Sequence, residues 1–334
     1  MGLRLTRSPS GSRRHTLGGL AAVLLWSTSV PVARALAEKL GPLTAGSAVF
    51  LLAGVLCLAW SWRARSPRPV AGGQCARRLA VSGACFVFYV YALYRAVGLA
   101  ADRRQVLDVA MLNYLWPALT LLLAVPLLGL RARPLLLPGT LLALAGEALA
   151  LSPDSGMAWS ALAANLLANP EAYALAALAA LSWALYSSLT RRWAPLGQGA
   201  VPFYMLAAGL ALLLLRVGAA ETGGWTPRAL LELAFLATAT ALSYAAWEGA
   251  MRHGDVVLVA ASSYFTPLLS ALLTCAYLQV VPGPRLWAGC LALVAGSLLS
   301  WISVRGPEAP QLEAEAQTAV QPMPPGQSGA GGTP

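Results

Sequence analysis

The sequence predicts an all-α integral membrane protein with ten transmembrane helices arranged as two inverted five-helix repeats. The first reason is composition: of 334 residues, 58% are hydrophobic and 11% are charged, whereas a soluble protein carries roughly 25% charged residues. The second reason is that the apolar residues form long runs, and about twenty such residues span a bilayer as a helix. The third reason is an internal repeat at an interval of 150 residues, because a duplicated unit of that length holds several spans.

Ten apolar segments are candidate spans, and a short connection separates each from the next. In chain order they are 16–36, 43–62, 77–98, 106–128, 134–152, 171–191, 200–219, 227–250, 256–280 and 284–304. The longest connection, 153–170, contains a weakly amphipathic run from Trp159 to Leu167, which predicts a short helix lying at the membrane interface. The tail 305–334 is rich in Pro, Gly, Gln and Ala, and that composition predicts disorder.

The first span has a second interpretation as a cleavable signal peptide, because a pair of arginines precedes its apolar stretch and small residues follow it. The repeat argues against this interpretation. Trp26 is followed by Arg34 eight residues later, and Trp183 is followed by Arg191 at the same interval. Span one is therefore predicted to be the structural partner of span six.

The repeat is clearest in the fourth and ninth spans. The string VAMLNYLWP at 109–117 returns as VAASSYFTP at 259–267, so valine, alanine, tyrosine and proline keep their register. The same interval of 150 residues relates two glycines of the fifth span to two glycines of the tenth span. In pairs, these are Gly139 with Gly289 and Gly146 with Gly296.

The distribution of basic residues predicts that both termini are cytoplasmic. Of 23 Arg and Lys residues, fifteen fall on the same side of the membrane as the N-terminus and five on the other side, while three lie within or at the edge of spans. Such an excess is typical of cytoplasmic segments. Each repeat holds five spans, an odd number, so the second copy must enter the membrane from the opposite side. The predicted organisation is a cytoplasmic segment 1–15, a repeat 16–152, a linker 153–170, an inverted repeat 171–304 and a cytoplasmic tail 305–334.

These features resemble the drug/metabolite transporter superfamily, in its EamA-like branch. The string LWST at 25–28 and the string NYLWP at 113–117 carry the resemblance, which covers residues 16–304 and is greatest to bacterial exporters of aromatic amino acids. It implies a secondary transporter that exports phenylalanine, tyrosine, tryptophan and other neutral amino acids across the bacterial inner membrane by alternating access. The alternative is a multidrug or metabolite exporter of the same superfamily, with a different substrate such as organic cations.

Pro117 and Pro267 lie within predicted spans, and we expect them to act as hinges. A proline lacks the amide hydrogen that a helix needs and clashes with the carbonyl four residues earlier, here those of Asn113 and Ser263. Freed carbonyls are tolerated at membrane depth when they face protein or a water-filled cavity. They can accept hydrogen bonds from an ammonium group, although a simple packing kink would account for the same sequence.

Aromatic and small polar residues in the middle of the spans predict a central substrate cavity. Deep Tyr and Trp side chains need a partner for their polar atoms, and aromatic walls suit flat apolar side chains and organic cations. Core packing explains any one of them alone, whereas the set as a whole favours a cavity. The predicted substrate-binding residues are Trp26, Ser27, Tyr91, Asn113, Tyr114, Trp116, Trp183, Tyr186, Tyr244, Trp247, Ser263 and Tyr264.

Charged residues within spans are costly and few. We expect Arg34 to pair with Asp108 as a gate at the outer face, and Arg191 to pair with Glu248 as a gate at the inner face. Snorkelling of the long side chains to the lipid headgroups is the alternative.

Carboxylates near the middle of the first span are missing, since no acidic residue lies between Leu17 and Pro31. This favours a site for neutral or zwitterionic solutes, and it leaves both downhill and proton-coupled transport open. Glu147 and Glu232 also fall within spans, but close to the predicted outer end, and we interpret them as wetted there.

The sequence gives no indication of an enzyme or of a cofactor. The two histidines lie at the ends of apolar runs, the five cysteines show no metal-binding or disulfide spacing, and no GxxxxGK[ST] phosphate loop is present. An enzyme would need a constellation of His, Asp or Glu near one interface. A channel would need rings of like charge or a filter-like glycine loop.

The net charge of +10 predicts membrane orientation and no nucleic-acid binding, because the arginines lie in short clusters between spans. The predicted partners are therefore small-molecule substrates and membrane lipid. Monomer and homodimer are both compatible with the sequence.

Overall fold

The computed structural model describes residues 9–63, 73–101, 103–151, 159–194, 199–278 and 283–305. The described residues form thirteen helices and one short two-stranded sheet. The helices are α1 Pro9–Leu40, α2 Pro42–Arg63, α3 Gly73–Leu99, α4 Arg103–Asn113, α5 Trp116–Leu128, α6 Leu136–Leu151, α7 Trp159–Ala168, α8 Pro170–Arg192, α9 Val201–Val217, α10 Pro227–His253, α11 Val256–Ser262, α12 Phe265–Leu278 and α13 Pro284–Ser303. The strands, β1 Arg131–Ala132 and β2 Val304–Arg305, pair antiparallel and tie the end of α13 to the connection before α6.

Each predicted span falls on one helix or on two consecutive helices. Spans four and nine correspond to two helices each, α4 with α5 and α11 with α12, and every other span corresponds to one. α7 lies in the predicted linker, where the amphipathic run is located. α1 begins at Pro9 and so extends into the segment predicted to precede the first span. The predicted disorder of the tail falls on 306–334, outside the described residues.

Five helices are long and apolar enough to cross a membrane by themselves: α2, α3, α8, α10 and α13. α1 is a sixth when its two straight parts, which meet at 45°, are taken together. α5, α6 and α9 are apolar but shorter. The protein is thus a multi-pass membrane protein. The total of ten spans also requires the shorter helices and the two broken pairs to cross, and it remains a prediction.

The bend in α1 is located at Pro31. Proline cannot donate a hydrogen bond to the carbonyl of Ser27, and its ring clashes with that carbonyl. The helix therefore consists of two straight parts, Arg13–Ser29 and Pro31–Leu40. The loss of an amide hydrogen, which predicts a kink at Pro117 and Pro267, predicts this bend at Pro31 as well.

The two helix pairs that correspond to spans four and nine are broken within one residue of equivalent positions of the repeat. The break between α4 and α5 is at 114–115, and the break between α11 and α12 is at 263–264. Pro117 and Pro267 follow in the first turn of α5 and of α12. Each break lies within the four residues before its proline, because the proline has no N–H for the carbonyl four residues earlier and its ring clashes with that carbonyl.

The expectation of a free carbonyl before each proline does not hold in the ninth span. The carbonyl of Ser263 accepts the N–H of Thr266 at 3.1 Å. The chain tightens at this break into a turn with hydrogen bonds between residues three apart, and the tighter turn supplies the donor that the proline cannot.

The helices pack in four principal pairs: α1 with α10, α2 with α9, α3 with α8, and α6 with α13. Glycines permit the closest approach between α6 and α13. A Cβ atom built on Gly146 would lie 2.7 Å from the carbonyl oxygen of Gly289, and one built on Gly296 would lie 2.6 Å from the carbonyl oxygen of Gly139. The repeat relates these four glycines in pairs, so the contact is reciprocal.

A second reciprocal contact joins α2 and α9. A Cβ atom built on Gly54 would lie 3.1 Å from the backbone nitrogen of Leu206, and one built on Gly209 would lie 2.9 Å from that of Leu51. Gly209 follows Gly54 by 155 residues, and Leu206 follows Leu51 by the same interval. The sequence analysis missed this pair because few other residues of the two helices are identical in that register. Small residues at such crossings are typical of helices that associate in membranes.

Candidate substrate site

Trp26 lies at the centre of a cluster of aromatic side chains that come from four helices. Its ring centroid is 6.1 Å from that of Trp116, 5.8 Å from Trp183, 5.5 Å from Tyr244 and 5.1 Å from Trp247. Centroid distances of roughly 4.5–7 Å are those of favourable aromatic pairs. We call these five residues the aromatic cluster. All five were predicted as substrate-binding residues, and α1, α5, α8 and α10 bring them together.

Further rings extend the aromatic cluster toward α2 and α3. Phe86 lies 5.2 Å from Tyr186, another predicted residue, and 5.2 Å from Tyr244. Phe50 lies 5.9 Å from Tyr244. Neither phenylalanine was among the predicted substrate-binding residues. A phenylalanine in an apolar span has no polar atom that would distinguish an inward-facing ring from one that faces lipid.

A cavity of about 200 Å³ lies between α1, α2, α3 and α10. Five aromatic side chains, one serine and one threonine contribute to its lining, and the other lining residues are small or aliphatic. The seven are Trp26, Phe50, Tyr89, Tyr94, Tyr244, Ser29 and Thr240. No charged side chain of the described residues lines it. The cavity can therefore recognise a ligand through ring contacts and neutral hydrogen bonds.

The cavity occupies one half of the helix bundle. On α1 its lining begins at Trp26 and runs to Ala37, and on α10 it ends at Tyr244. Beyond that point α10 is largely buried from Trp247 to Arg252. The aromatic cluster therefore separates the cavity from a closed half of the protein, and the cavity extends toward the C-terminal end of α1.

The indole N–H groups of the two tryptophans nearest the cavity differ in their partners. Trp247 donates to the hydroxyl of Ser187 at 3.2 Å. The Nε1 atom of Trp26 is buried and finds no acceptor among the described residues. A buried donor without a partner costs about 1–3 kcal/mol. Trp26, which lines the cavity, thus holds a buried indole N–H without a partner among the described residues.

Tyr91, a predicted substrate-binding residue, does not line the cavity. Its ring lies 6.4 Å from that of Phe88, a side chain that is 39% exposed at the surface. Tyr89 and Tyr94 occupy the cavity-lining positions of α3 instead. The third span aligns with the eighth at an interval of 153 residues, which matches Tyr91 with Tyr244, but only Tyr244 lines the cavity.

Four predicted residues lie at the two helix breaks, outside the cavity lining: Asn113, Tyr114, Ser263 and Tyr264. Tyr264 is fully buried and packs among residues of α6 and α13. Asn113 lies next to the hydroxyl of Tyr89. This contact connects the break between α4 and α5 to the cavity wall.

Ser27, the remaining predicted residue, joins α1 to α12. It is fully buried, and its hydroxyl lies 2.8 Å from the carbonyl oxygen of Val23 and 3.2 Å from that of Thr266. Ser27 therefore holds the helix that carries Trp26 against the second broken pair. Pro117 is buried in the first turn of α5, and Pro267 occupies the corresponding backbone position in α12.

The structure does not bring Arg34 and Asp108 together as the predicted outer gate. Arg34 pairs with Glu38, one turn along its own helix, at 3.0 Å, and both side chains are largely exposed. Asp108 accepts hydrogen bonds from the hydroxyl of Tyr173 at 2.7 Å and from the amide of Asn165 at 3.1 Å. Each charged group is satisfied by a closer neighbour.

The predicted inner gate, Arg191 with Glu248, is also replaced by other partners. Glu248 pairs with Arg252 within α10 at 2.7 Å, and both side chains are buried. Arg191 donates to the carbonyl oxygens of Arg252 at 2.8 Å and of Gly254 at 3.2 Å. Arg252 also donates to the carbonyl oxygen of Ala194 at 2.9 Å. These hydrogen bonds join the C-terminal end of α8 to the C-terminal end of α10, in the half of the bundle that the cavity does not reach.

An ion pair that the sequence analysis did not foresee lies at the cavity end of the bundle. Lys39 of α1 pairs with Glu232 of α10 at 2.5 Å, and Arg228 pairs with the same carboxylate at 3.2 Å. Glu221 lies beside this end and pairs with Arg216 at 3.4 Å. Glu232 is therefore neutralised by two cations. The pair that it forms with Lys39 joins α1 to α10 at the cavity end of the bundle.

The fold and the site together define a multi-pass helical membrane protein with an internal aromatic cavity and without, in the described residues, any group of three or more side chains that could hold a metal ion. The sequence model of the EamA-like transporter family matches residues 14–152 and 171–302. The chain belongs to this family, and it is a transmembrane transporter. The two matched stretches correspond to the two predicted repeats.

Curated relatives and a solved structure resemble the chain over most of its length. The aromatic amino acid exporter YddG of Escherichia coli (strain K12) is 34% identical over 294 residues, which cover 88% of this chain and 98% of that protein. The exporter of the same name from Salmonella typhimurium (strain 14028s) is 33% identical, with coverage of 88% and 99%. A solved crystal structure of 26% identity superposes with a TM-score of 0.72 and covers 86% of this chain and 96% of that chain.

Proposed function

We propose that the protein is a secondary transporter that exports aromatic and other neutral amino acids across the bacterial inner membrane by alternating access. The observation that carries this proposal is the cavity beside Trp26, whose lining is rich in aromatic rings and, among the residues that the structure describes, has no charged side chain. The names of its relatives from Escherichia coli and Salmonella typhimurium, both aromatic amino acid exporters, support the same substrate class.

The size of the cavity favours a substrate as small as a single amino acid. Pockets for drug-sized ligands measure roughly 300–1,000 Å³, whereas this cavity measures about 200 Å³. A water molecule takes about 30 Å³ of liquid volume, so the cavity corresponds to six or seven waters. This is the scale of one amino acid, and it argues against a bulky multidrug substrate.

The polar groups at the cavity wall match those of a zwitterion. The free indole N–H of Trp26 is a donor for the carboxylate of the substrate. The hydroxyls of Tyr94 and Tyr244, whose side chains line the cavity, are acceptors for its ammonium group. The aromatic side chain of the substrate would then pack among the rings of the cluster, where edge-to-face contacts contribute about 0.5–1.5 kcal/mol each.

Alternating access in this proposal is a movement of two inverted five-helix repeats, 16–152 and 171–304, about the central site. The helix pairing supports it, because exchanging the two repeats turns the α1–α10 pair into the α8–α3 pair and leaves the α2–α9 and α6–α13 pairs unchanged. The reciprocal glycine contacts support it as well. Pro117 and Pro267 are the proposed hinges, since both helix breaks precede them.

The two ends of the bundle supply contacts that can open and close. At the cavity end, Lys39 and Glu232 connect α1 to α10. At the other end, Arg252 connects α10 to the segment after α8 through the carbonyl of Ala194. We assign the first end to the outer face and the second to the cytoplasmic face, with both termini cytoplasmic, on the basis of the excess of arginine near the second end.

Reconstitution in liposomes tests this function. Liposomes that contain the purified protein are loaded with labelled phenylalanine, tryptophan or threonine, and release is compared with that from protein-free liposomes. We expect protein-dependent release of the aromatic substrates first. A second arm uses a labelled organic cation such as tetraphenylphosphonium. Transport of the cation without transport of any amino acid would favour the multidrug alternative and contradict the proposal.

A further inference from the structure

Glu147 of α6 is a buried carboxyl group that the proposed site does not use. Its residue is 4% exposed, and neither carboxylate oxygen accepts a hydrogen bond from any described residue. The interpretation of Glu147 as wetted near a membrane surface is therefore overturned. Glu232 differs in this respect, because Lys39 and Arg228 neutralise it. An ionised carboxylate without a partner is strongly disfavoured in such surroundings, so Glu147 is held as the neutral acid.

The surroundings of Glu147 contain both helix breaks. The titratable groups within its electrostatic range are Tyr114, at the break between α4 and α5, and Tyr264, at the break between α11 and α12. On α13, which packs against this part of α6, Cys290 lies next to the close contact between Gly146 and Gly289, and Arg285 lies one turn before Gly289. No basic side chain of the described residues pairs with Glu147.

Tyr114 also connects Glu147 to the cavity. It lies within electrostatic range of Tyr89, which lines the cavity, as well as of Glu147. Asn113, the residue before it, lies next to the hydroxyl of Tyr89. Polar side chains at the break between α4 and α5 therefore lie between the cavity wall and the buried carboxyl group, within electrostatic range of both.

The repeat explains what a carboxyl group at this position can do. The repeat mate of Glu147, 150 residues later, is Ser297, whose hydroxyl donates to the carbonyl oxygen of Ala261 at 2.7 Å in the last turn of α11. The corresponding carbonyl of the first repeat belongs to Met111, in the last turn of α4. A serine is a permanent donor, whereas a carboxyl group donates only while it is protonated. The first repeat thus has a titratable donor where the second has a fixed one.

We propose that Glu147 is a proton-binding site through which the transporter exchanges one inbound proton for each exported amino acid. This inference rests on the proposed function. In the occluded state the carboxylic acid is buried and neutral, without a hydrogen-bond partner among the described residues. When the break between α4 and α5 opens and admits water, the acid releases that proton to one face. The carboxylate takes up another proton from the opposite face before it is buried again.

Transport against a pH gradient tests the proposal. Liposomes have a lumen one pH unit more acidic than the medium, and potassium with valinomycin holds the membrane potential at zero. Proton exit through an exchanger should accumulate labelled phenylalanine up to about tenfold, the limit for one proton per substrate and one pH unit. We expect Glu147→Gln, which keeps the volume and a donor but cannot titrate, to lose this accumulation. The control Glu171→Gln removes an exposed carboxylate at the start of α8 and should behave as the wild type.

Counterflow at equal pH separates this inference from the proposed function. In that assay preloaded unlabelled phenylalanine exchanges for labelled phenylalanine and no net proton movement is needed, so Glu147→Gln should retain at least half of the wild-type rate. Absence of counterflow in the wild type would overturn the proposed function and this inference with it. Wild-type counterflow without accumulation on a pH gradient would overturn the proton site alone, as would full accumulation by Glu147→Gln.

A chemical measurement on the wild type applies even if the Gln variant does not fold. Dicyclohexylcarbodiimide reacts with protonated carboxyl groups in apolar surroundings, and mass spectrometry locates the product. We expect Glu147 to be labelled at neutral pH and phenylalanine to change the rate several-fold. Labelling of other carboxyl groups without Glu147 would contradict the proposal.

Discussion

Gly146 of α6 lies against the carbonyl oxygen of Gly289 of α13, so closely that a Cβ atom at Gly146 would be 2.7 Å from that oxygen. The repeat mates of these residues, Gly296 and Gly139, form the same contact in reverse. A backbone carbonyl cannot move aside as a flexible side chain can. The close crossing of the two helices therefore depends on glycine at both positions.

Gly146→Ala should lower the stability of the folded protein. Overpacking of this kind costs about 1–3 kcal/mol, and we expect a fall of several degrees in the apparent melting temperature in detergent. Gly98→Ala is the matched control, since no atom lies within 4 Å of the position a Cβ would take there. That control should be neutral or slightly stabilising, because alanine is favoured over glycine in a helix. Equal melting temperatures for wild type and Gly146→Ala would show that the crossing of α6 and α13 accommodates an added methyl group, and they would contradict the prediction.

Trp26→Ala should reduce transport of phenylalanine about tenfold or more, since loss of a ring contact and of a hydrogen-bond donor to substrate amounts to at least ~1.4 kcal/mol. Counterflow in liposomes measures the effect. Trp26→Phe keeps a ring but removes the indole N–H, and we expect an intermediate rate. Trp60→Ala is the control, because that side chain is 63% exposed and remote from the cavity lining. A wild-type rate for Trp26→Ala would refute the assignment of the cavity.

Arg252→Met should be more destabilising than removal of both charges of its pair. The variant leaves Glu248 buried without its cation, and breaking a buried pair in this way costs about 3–5 kcal/mol. The double variant Glu248→Gln with Arg252→Met should recover part of that loss. Thermal unfolding in detergent gives the comparison. Arg34→Met, which breaks an exposed pair with Glu38 worth about 0–1 kcal/mol, should change little, and a double variant no better than the single one would contradict the prediction.

Lys39→Met should loosen the cavity end of the bundle, whereas Arg228→Met should not. Both cations pair with Glu232, but Lys39 reaches it from another helix and Arg228 lies one turn away on the same helix, with a side chain that is 76% exposed. A difference of about 1 kcal/mol changes a conformational equilibrium roughly fivefold. The counterflow rate and its salt dependence report the change. Equal behaviour of the two variants would argue against Lys39 as a closing contact.

The part of the site that sequence predicted well consists of large aromatic residues placed near the middle of apolar spans. Trp26, Trp116, Trp183 and Trp247 could be named because a buried tryptophan is unusual and needs a specific environment. Tyr91 could not be placed correctly in the same way. Phe86, Val90 and Tyr94 recur at intervals of four residues and define the inward face of α3. Tyr91 follows Val90 by one residue, which turns its side chain by about 100° around the helix axis.

Ion pairs were the least predictable feature. The proposed pairing of Arg34 with Asp108 assumed that two charges at the same depth would meet across the bundle. Instead, Arg34 forms an ion pair with Glu38, and Asp108 accepts a hydrogen bond from the hydroxyl of Tyr173. Depth follows from position along a span, but the direction of a side chain depends on the rotation and bend of each helix, and these are set by packing.

The class of the protein, the location of the apolar segments and the 150-residue relation between Gly146 and Gly296 could all be predicted from the amino-acid sequence. These follow from periodicity and composition, which are local properties that the bilayer enforces wherever the chain folds. The packing of the helices determines that the indole N–H of Trp26 has no partner among the described residues and that Glu147 is buried. Burial and hydrogen-bond satisfaction depend on which helices pack against a side chain, and no local pattern encodes that choice.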